Sequence, residues 1–217
     1  MLAKKVVRII KGRGFQGFFE FLISRIYRVS CENVYQKISK SRDSTRTNSD
    51  LAQEYDFLVI DKNNFQDEKN RRLLDSINDG EIAEYIEGIN RDSLLFLISK
   101  NDKEVLHTSF VQFRSRYKKL IQEDNKVPLI GNCWTDKNSR GKGFYPYTIS
   151  AVADELFRRN YPRVIISCAS DNIASIKGIE KSDFELVNDI KSYIFFSKIV
   201  VQLSQNGTNT SKKIFIF

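Results

Sequence analysis

LIGNCWTDKNSRGKGFYPYTISAVADELF, residues 129–157, decides the reading of this chain. The apolar run from Val127 to Trp134 predicts a strand, and Ser139 to Tyr145 is a polar turn carrying Gly141 and Gly143. Beyond it Ile149, Val152, Ala153, Leu156 and Phe157 recur at helical spacing, and Pro146 suits a first helical turn. The order is strand, glycine loop, helix. Glycines at the mouth of a helix let successive backbone N–H groups converge on one point, and the positive end of the helix dipole adds to the attraction for a phosphate. The loop by itself is equally compatible with a tight turn, so the flanking sequence has to separate the two readings.

Outward from that stretch, Val164 to Cys168 predicts a strand, Asp171 to Lys181 a short helix, and Phe184–Val187 and Tyr193–Val201 two further strands. On the other side, Phe57–Ile60 reads as a strand. Leu73, Leu74 and Ile77, then Ile82, Tyr85, Ile86 and Ile89, read as two amphipathic helices joined at Asp79-Gly80. Leu94–Ile98 and Val105–Phe113 form a hairpin turning at Asn101-Asp102, and the charged residues 114–126 connect it to the central strand. Strands and helices in this order predict an α/β domain with a mixed, mostly antiparallel sheet flanked by helices.

The net charge of +8 on 217 residues is unevenly placed: residues 1–48 hold 11 Lys/Arg against 3 Asp/Glu, and residues 49–217 hold 24 of each. The main domain, 49–217, is therefore neutral, which argues against a nucleic-acid surface there and assigns any attraction for anions to the N-terminal segment. In that segment Leu2, Val6, Ile9 and Ile10 share one helical face. After Gly12-Arg13-Gly14, a second stripe of Phe15, Phe18, Phe19, Leu22, Ile26 and Val29 follows, predicting an N-terminal helical appendage over 1–48 that ends in the polar linker 39–50. The stripe suits either packing on the domain or across a homodimer, or peripheral membrane contact through residues 1–30, with packing narrowly preferred. Three widely spaced cysteines, Cys31, Cys133 and Cys168, with neither CxxC nor CxxH spacing, imply no zinc site and a reducing, cytoplasmic setting.

The stretch from Cys133 to Phe184 resembles the GCN5-related N-acetyltransferases (GNAT), in which an Arg/Gln-x-x-Gly-x-Gly/Ala loop binds acetyl-CoA. Arg140-Gly141-Lys142-Gly143 matches the loop, and Asn172-Ile173-Ala174-Ser175 with Glu180-Lys181-x-x-Phe184 looks like the family's second motif. The Arg-Gly-Lys-Gly-aromatic-Tyr-Pro form is similar to that of acetyltransferases of bacterial surface-polysaccharide and sugar-nucleotide chemistry. The resemblance implies acetyl-CoA as acyl donor and a small amine, such as an amino sugar of a polysaccharide precursor, as acceptor. It implies cofactor contacts from Cys133, Thr135, Arg140, Gly141, Lys142, Gly143, Phe144, Tyr145, Asn172 and Ser175.

Two positions depart from the pattern. Tyr145 stands where the loop usually has Gly or Ala, and Ile179 stands seven residues after the Asn, where many members carry a tyrosine acid. For proton transfer the candidates are His107, the only histidine, as base, Asp136 as a second base, and Tyr145 or Tyr147 as a substitute acid. An O-acyltransferase, a longer-chain acyl donor and a non-catalytic CoA-binding module are the alternatives.

Overall fold

A computed structural model describes residues 16, 17, 19–21, 23, 26–39, 55–77, 86, 93–207 and 209–216. The chain divides into two compact units, one of Val34–Cys168 and Asn172–Val187, the other of Met1–Asn33, Ala169–Asp171 and Asn188–Phe217. The strands are β1 (Tyr27–Ile38), β2 (Asp56–Ile60), β3 (Ser93–Lys100), β4 (Glu104–Gln112), β5 (Leu129–Thr135), β6 (Arg163–Ala169), β7 (Glu185–Phe195), β8 (Ile199–Asn206) and β9 (Asn209–Ile216). The helices are α1 (Glu68–Asp75), α2 (Tyr117–Leu120), α3 (Phe144–Arg158) and α4 (Ile173–Glu180).

In the larger unit the hydrogen-bonded order is β2-β3-β4-β5-β6-β1. The pairs β2–β3, β3–β4 and β4–β5 are antiparallel, whereas β5 and β6, joined by α3, are parallel. Strand β3 is buried continuously from Leu94 to Ser99 because both of its faces are covered. Leu94 and Phe96 face a cluster with Val111, Ile130, Val164, Ile166 and the stripe Ile149, Val152, Ala153 and Leu156 of α3. Leu95 and Leu97 face Phe110, Val105 and the residues Leu73 and Leu74 of α1. The four-residue recurrence of the α3 stripe is what turns one side of that helix onto the sheet. The helix stops at Asn160, whose φ of 64° allows the N–H groups of Asn160 and Tyr161 to reach the carbonyls of Phe157 and Leu156.

The smaller unit carries Tyr27–Asn33 of β1, then most of β7, and β8 and β9, in that order. Pairing is antiparallel from Asp189↔Gln205 to Phe195↔Ile199 and from Ile199↔Ile216 to Asn206↔Asn209.

Three expectations are revised. Of the helical stripe expected to reach Val29, Phe15, Phe18 and Leu22 lie outside the described residues, Phe19 and Ile26 are helical, and Tyr27–Ile38 is a strand rather than part of a helical appendage. The β-branched and aromatic residues Tyr27, Val29, Val34 and Tyr35 suit a pleated ladder better than a helix. The strands expected at Phe184–Val187 and Tyr193–Val201 are instead one strand, β7, followed by a turn at Phe196-Ser197 and then β8, because pairing with β8 carries the polar residues Asp189, Lys191 and Ser192 through. Strand β9 was not anticipated. The linker 40–50 and most of the helix expected at 82–89 lie outside the described residues. Among the described residues no helix is long and apolar enough to cross a membrane.

Candidate active site

The site is built where β5 parts from β6. The two strands pair only at Leu129↔Ile165 and Ile130↔Ile166, so beyond Gly131 the backbone groups of β5 that turn toward β6 have no strand partner. On its other edge β5 is bulged: Trp134 pairs with Thr108 and Gly131 with Phe110, leaving Asn132 and Cys133 opposite Ser109 alone, with Asn132 at φ 50°. Such a bulge re-aims the strand at the point where a ligand could replace the missing neighbour. Trp134 packs against the cluster on the α1 side, as a core aromatic.

At the end of β5 the chain enters the glycine loop. Gly141 and Gly143 have φ of 78° and 84°, and a Cβ at either would meet nothing within 4 Å, so the backbone is open to close approach. Gly143 is the residue before α3 and no side chain caps that helix, which leaves first-turn N–H groups available to an anion. The Arg140 side chain donates from Nε to the Thr135 carbonyl at 3.3 Å, while Lys142 is exposed. Phe144 points the other way: it is 2% exposed, packed on Ile98 and Leu106, so only its backbone faces the loop. Asn172 caps α4, its Oδ1 accepting from the Ser175 N–H at 3.1 Å, which leaves its Nδ2 as a donor.

A chain of polar side chains links β4 to β5. Ser109 Oγ donates to Cys133 Sγ at 3.2 Å, so Ser109 must accept from His107 Nε2 at 2.9 Å, and His107 Nδ1 must then accept the Thr135 hydroxyl proton at 2.7 Å. His107 is fully buried, and burial lowers its pKa from 6.5 to about 3, holding the ring neutral. Burial likewise raises the Cys133 thiol to about 12, with the Ser109 hydrogen bond opposing, which keeps it protonated and unreactive.

Tyr145 lies over this chain, its ring centroid 5.9 Å from that of His107. Burial first, then the neighbouring Cys133 and Cys168, push its phenol well above the usual tyrosine range, opposed by a hydrogen bond with Ser175. A Cβ on Gly178 would stand 2.4 Å from Cδ1 of Tyr145, so glycine in α4 is what admits the ring. Asp136 stands apart from this group and accepts from the Asn138 N–H at 2.8 Å, capping the 3₁₀ turn Lys137–Ser139. Ile179 is buried in the core.

One further pair was hidden in the charged stretch 114–126. Tyr117 on α2 shares a 3.1 Å hydrogen bond with Ser167, the first residue of β6 past its last rung to β5. Ile166 and Cys168 face the α3 side, so by strand alternation Ser167 and Tyr117 mark the parting of the strands from the opposite face. The open recess of about 450 Å³ lined by Asp61, Phe113, Arg114, Arg159 and Tyr161 sits at the other end of α3, away from the glycine loop. Among the described residues no group of three or more His, Cys, Asp or Glu could hold a metal ion.

Solved structures share this fold. A GNAT-family acetyltransferase from Colwellia psychrerythraea superimposes with a TM-score of 0.52 at 15% identity, over 78% of this chain and 57% of its own. A protein assigned to the same acetyltransferases, from Novosphingobium aromaticivorans, gives 0.50 at 12% identity, over 83% of this chain and 66% of its own. The fold is that of the GNAT acetyltransferases. This chain spans less than two thirds of the length of either structure. No family model and no curated protein matches the sequence.

Within the GNAT fold the parted parallel strands and the loop entering α3 coincide with the residues singled out from the sequence. Gly141, Gly143, Arg140, Cys133, Thr135 and Tyr145 gather at one end of β5, with Asn172 and Ser175 at the start of α4. His107 joins them from β4, and Asp136 is the candidate whose side chain is turned to a local capping role.

Proposed function

We propose that this chain is an acetyl-CoA-dependent N-acetyltransferase acting on a small amine, with an amino sugar of a polysaccharide precursor as the acceptor. The observation that carries the reading is the coincidence, at one end of β5, of unpaired strand backbone and an uncapped glycine loop. Acetyl-CoA would supply an acetyl group already activated as a thioester. The amides of Gly141, Gly143 and Tyr145, with Arg140 and Lys142, would hold its pyrophosphate. The strand amides of Cys133 and Thr135 and the Nδ2 of Asn172 would hold the pantetheine arm, replacing the lost β-ladder partners.

The chain's own residues then divide the work of orientation. His107 Nδ1 accepts the hydrogen bond of the Thr135 hydroxyl, so the lone pairs of Thr135 Oγ1 are left to accept from the amine N–H. At a pKa of about 3, His107 is an orienting residue rather than the base that removes the ammonium proton. Tyr145, held as a neutral phenol, would act as a hydrogen-bond donor. Tyr117 and Ser167 would meet the acceptor from the far face. A contact of residues 1–30 with a membrane belongs to the same reading, because it would bring the enzyme to a lipid-carried acceptor; a homodimer is the other use of the Phe15–Ile26 stripe.

A non-catalytic CoA-binding module is the second reading, favoured by the buried Ile179 in place of the tyrosine acid. Acetyl-CoA at 100-fold over its Kd should stabilise the folded state by about 2.7 kcal/mol. An unshifted Tm at millimolar acetyl-CoA would remove the donor assignment. Thiol release with a panel of amines and nucleotide amino sugars then separates enzyme from module, and the acceptor that is turned over separates amine from hydroxyl chemistry.

A further inference from the structure

The smaller unit turns one face of its sheet to solvent. Along β7 and β8 burial alternates: Ile190, Ser192, Ile194, Val200, Gln202 and Ser204 are buried, and the residues between them point the other way. The antiparallel registers align that second set into cross-strand rows: Phe195–Ile199–Ile216, then Tyr193–Val201–Ile214, then Lys191–Leu203–Lys212. The first row is wholly apolar, the second is apolar but for the Tyr193 hydroxyl, and the third is leucine between lysines. Ile214 and Ile216 are 66% and 77% exposed, and Ile199 and Leu203 are 43% and 39% exposed. Tyr27 extends the patch, its ring 5.2 Å from that of Phe195. The Lys191 ammonium lies 5.3 Å over the Tyr193 ring, a cation–π contact where the lysine row meets the apolar rows.

A contiguous apolar patch facing water signals an occupant, and charge selects which one. Residues 188–217, which supply most of β7 and all of β8 and β9, hold four lysines against one aspartate, a net +3. Two copies brought together through these strands would each bring that positive excess, so self-association works against repulsion, whereas an anionic partner gains from it. Apolar rows with a lysine margin match the boundary of a bilayer, where aliphatic side chains enter the acyl region and lysines reach headgroup phosphates.

We propose that the outward face of β7, β8 and β9 docks on an anionic lipid bilayer, with Phe195, Ile199, Val201, Ile214 and Ile216 at the acyl boundary and Lys191 and Lys212 among the headgroups. This goes beyond the N-terminal stripe, because it assigns the contact to a sheet face at the opposite end of the sequence, and it does not depend on the acetyltransferase reading.

The test uses the full chain and vesicles of phosphatidylcholine alone or mixed with phosphatidylglycerol, sedimented at low and high salt. The expected result is pelleting with the mixed vesicles that weakens with salt and is reduced in Ile214→Ser/Ile216→Ser. Each of Lys191→Gln and Lys212→Gln should lower the affinity about fivefold. Unchanged circular dichroism and Tm show that the variants fold, and the lysine variants, exposed on both strands, keep the test decisive if the isoleucine pair does not. Absence of pelleting with anionic vesicles at low salt would overturn the proposal. So would pelleting indifferent to all of these variants, which would assign the contact to residues 1–30, or a dimer in sedimentation velocity that the isoleucine variant dissolves. A protein that pellets with the mixed vesicles but shows no Tm shift with millimolar acetyl-CoA would count against the acetyltransferase reading alone.

Discussion

Replacing Gly178 by alanine sets two effects of known size against each other. Gly178 lies in α4, and alanine in a helix is favoured over glycine by about 1 kcal/mol, so on an open helix face the change would stabilise. Here the new Cβ would stand 2.4 Å and 2.7 Å from Cδ1 and Cε1 of Tyr145, closer than packed carbon atoms come. The ring cannot swing clear cheaply, since it is packed against the core, faces His107 and shares a hydrogen bond with Ser175. Overpacking of this kind costs about 1–3 kcal/mol, so the net expectation is a destabilisation of about 1 kcal/mol with looser seating of Tyr145. In a Tyr145→Ala background the obstacle is gone, and the same Gly178→Ala change should stabilise by up to about 1 kcal/mol. Urea unfolding of the four proteins in the cycle measures both. A Gly178→Ala protein more stable than the parent, or two changes that simply add, would refute the assignment of Gly178 as the seat of the Tyr145 ring.

Gly143→Val should weaken CoA binding at least tenfold in a titration, because the side chain blocks backbone approach. It should also cost about 1 kcal/mol in stability from the φ of 84°; wild-type affinity would reduce the loop to a turn. His107 is neutral when folded, with its pKa lowered to about 3, and ordinary when unfolded at 6.5, so the unfolded state binds the extra proton as pH falls below 6.5 and stability declines from there toward pH 3. Between pH 7 and pH 5 the wild type should lose about 2 kcal/mol more than His107→Gln in urea unfolding, and parallel pH profiles would contradict this. Tyr117→Phe should lower turnover of an amine while leaving CoA affinity unchanged, since its hydroxyl lies on the far face at Ser167; an equal loss of both would show a structural role instead.

Local pattern alone determined much of this protein. The 3.6-residue recurrence of Ile149, Val152, Ala153 and Leu156, the paired glycines before it, and the apolar runs of β3, β4 and β5 each express an interaction between residues near in sequence, so the α/β order and the place of the glycine loop could be read directly. Tertiary structure decided what depends on distant partners. Strand β1 is a strand because the ladder receives it, as the hydrogen bond from the Ser39 N–H to the Pro162 carbonyl shows, and no spacing within 27–38 announces that neighbour. The parting of β5 from β6 is a missing interaction, invisible in residues 129–135. His107 reads as a base by residue type, yet Thr135 and Ser109 occupy both of its nitrogens and burial lowers its affinity for a proton. Tyr145 reads as an intruder in a glycine loop until Gly178, 33 positions later, leaves the space that seats it, because steric complementarity belongs to pairs of residues and a sequence states them one at a time.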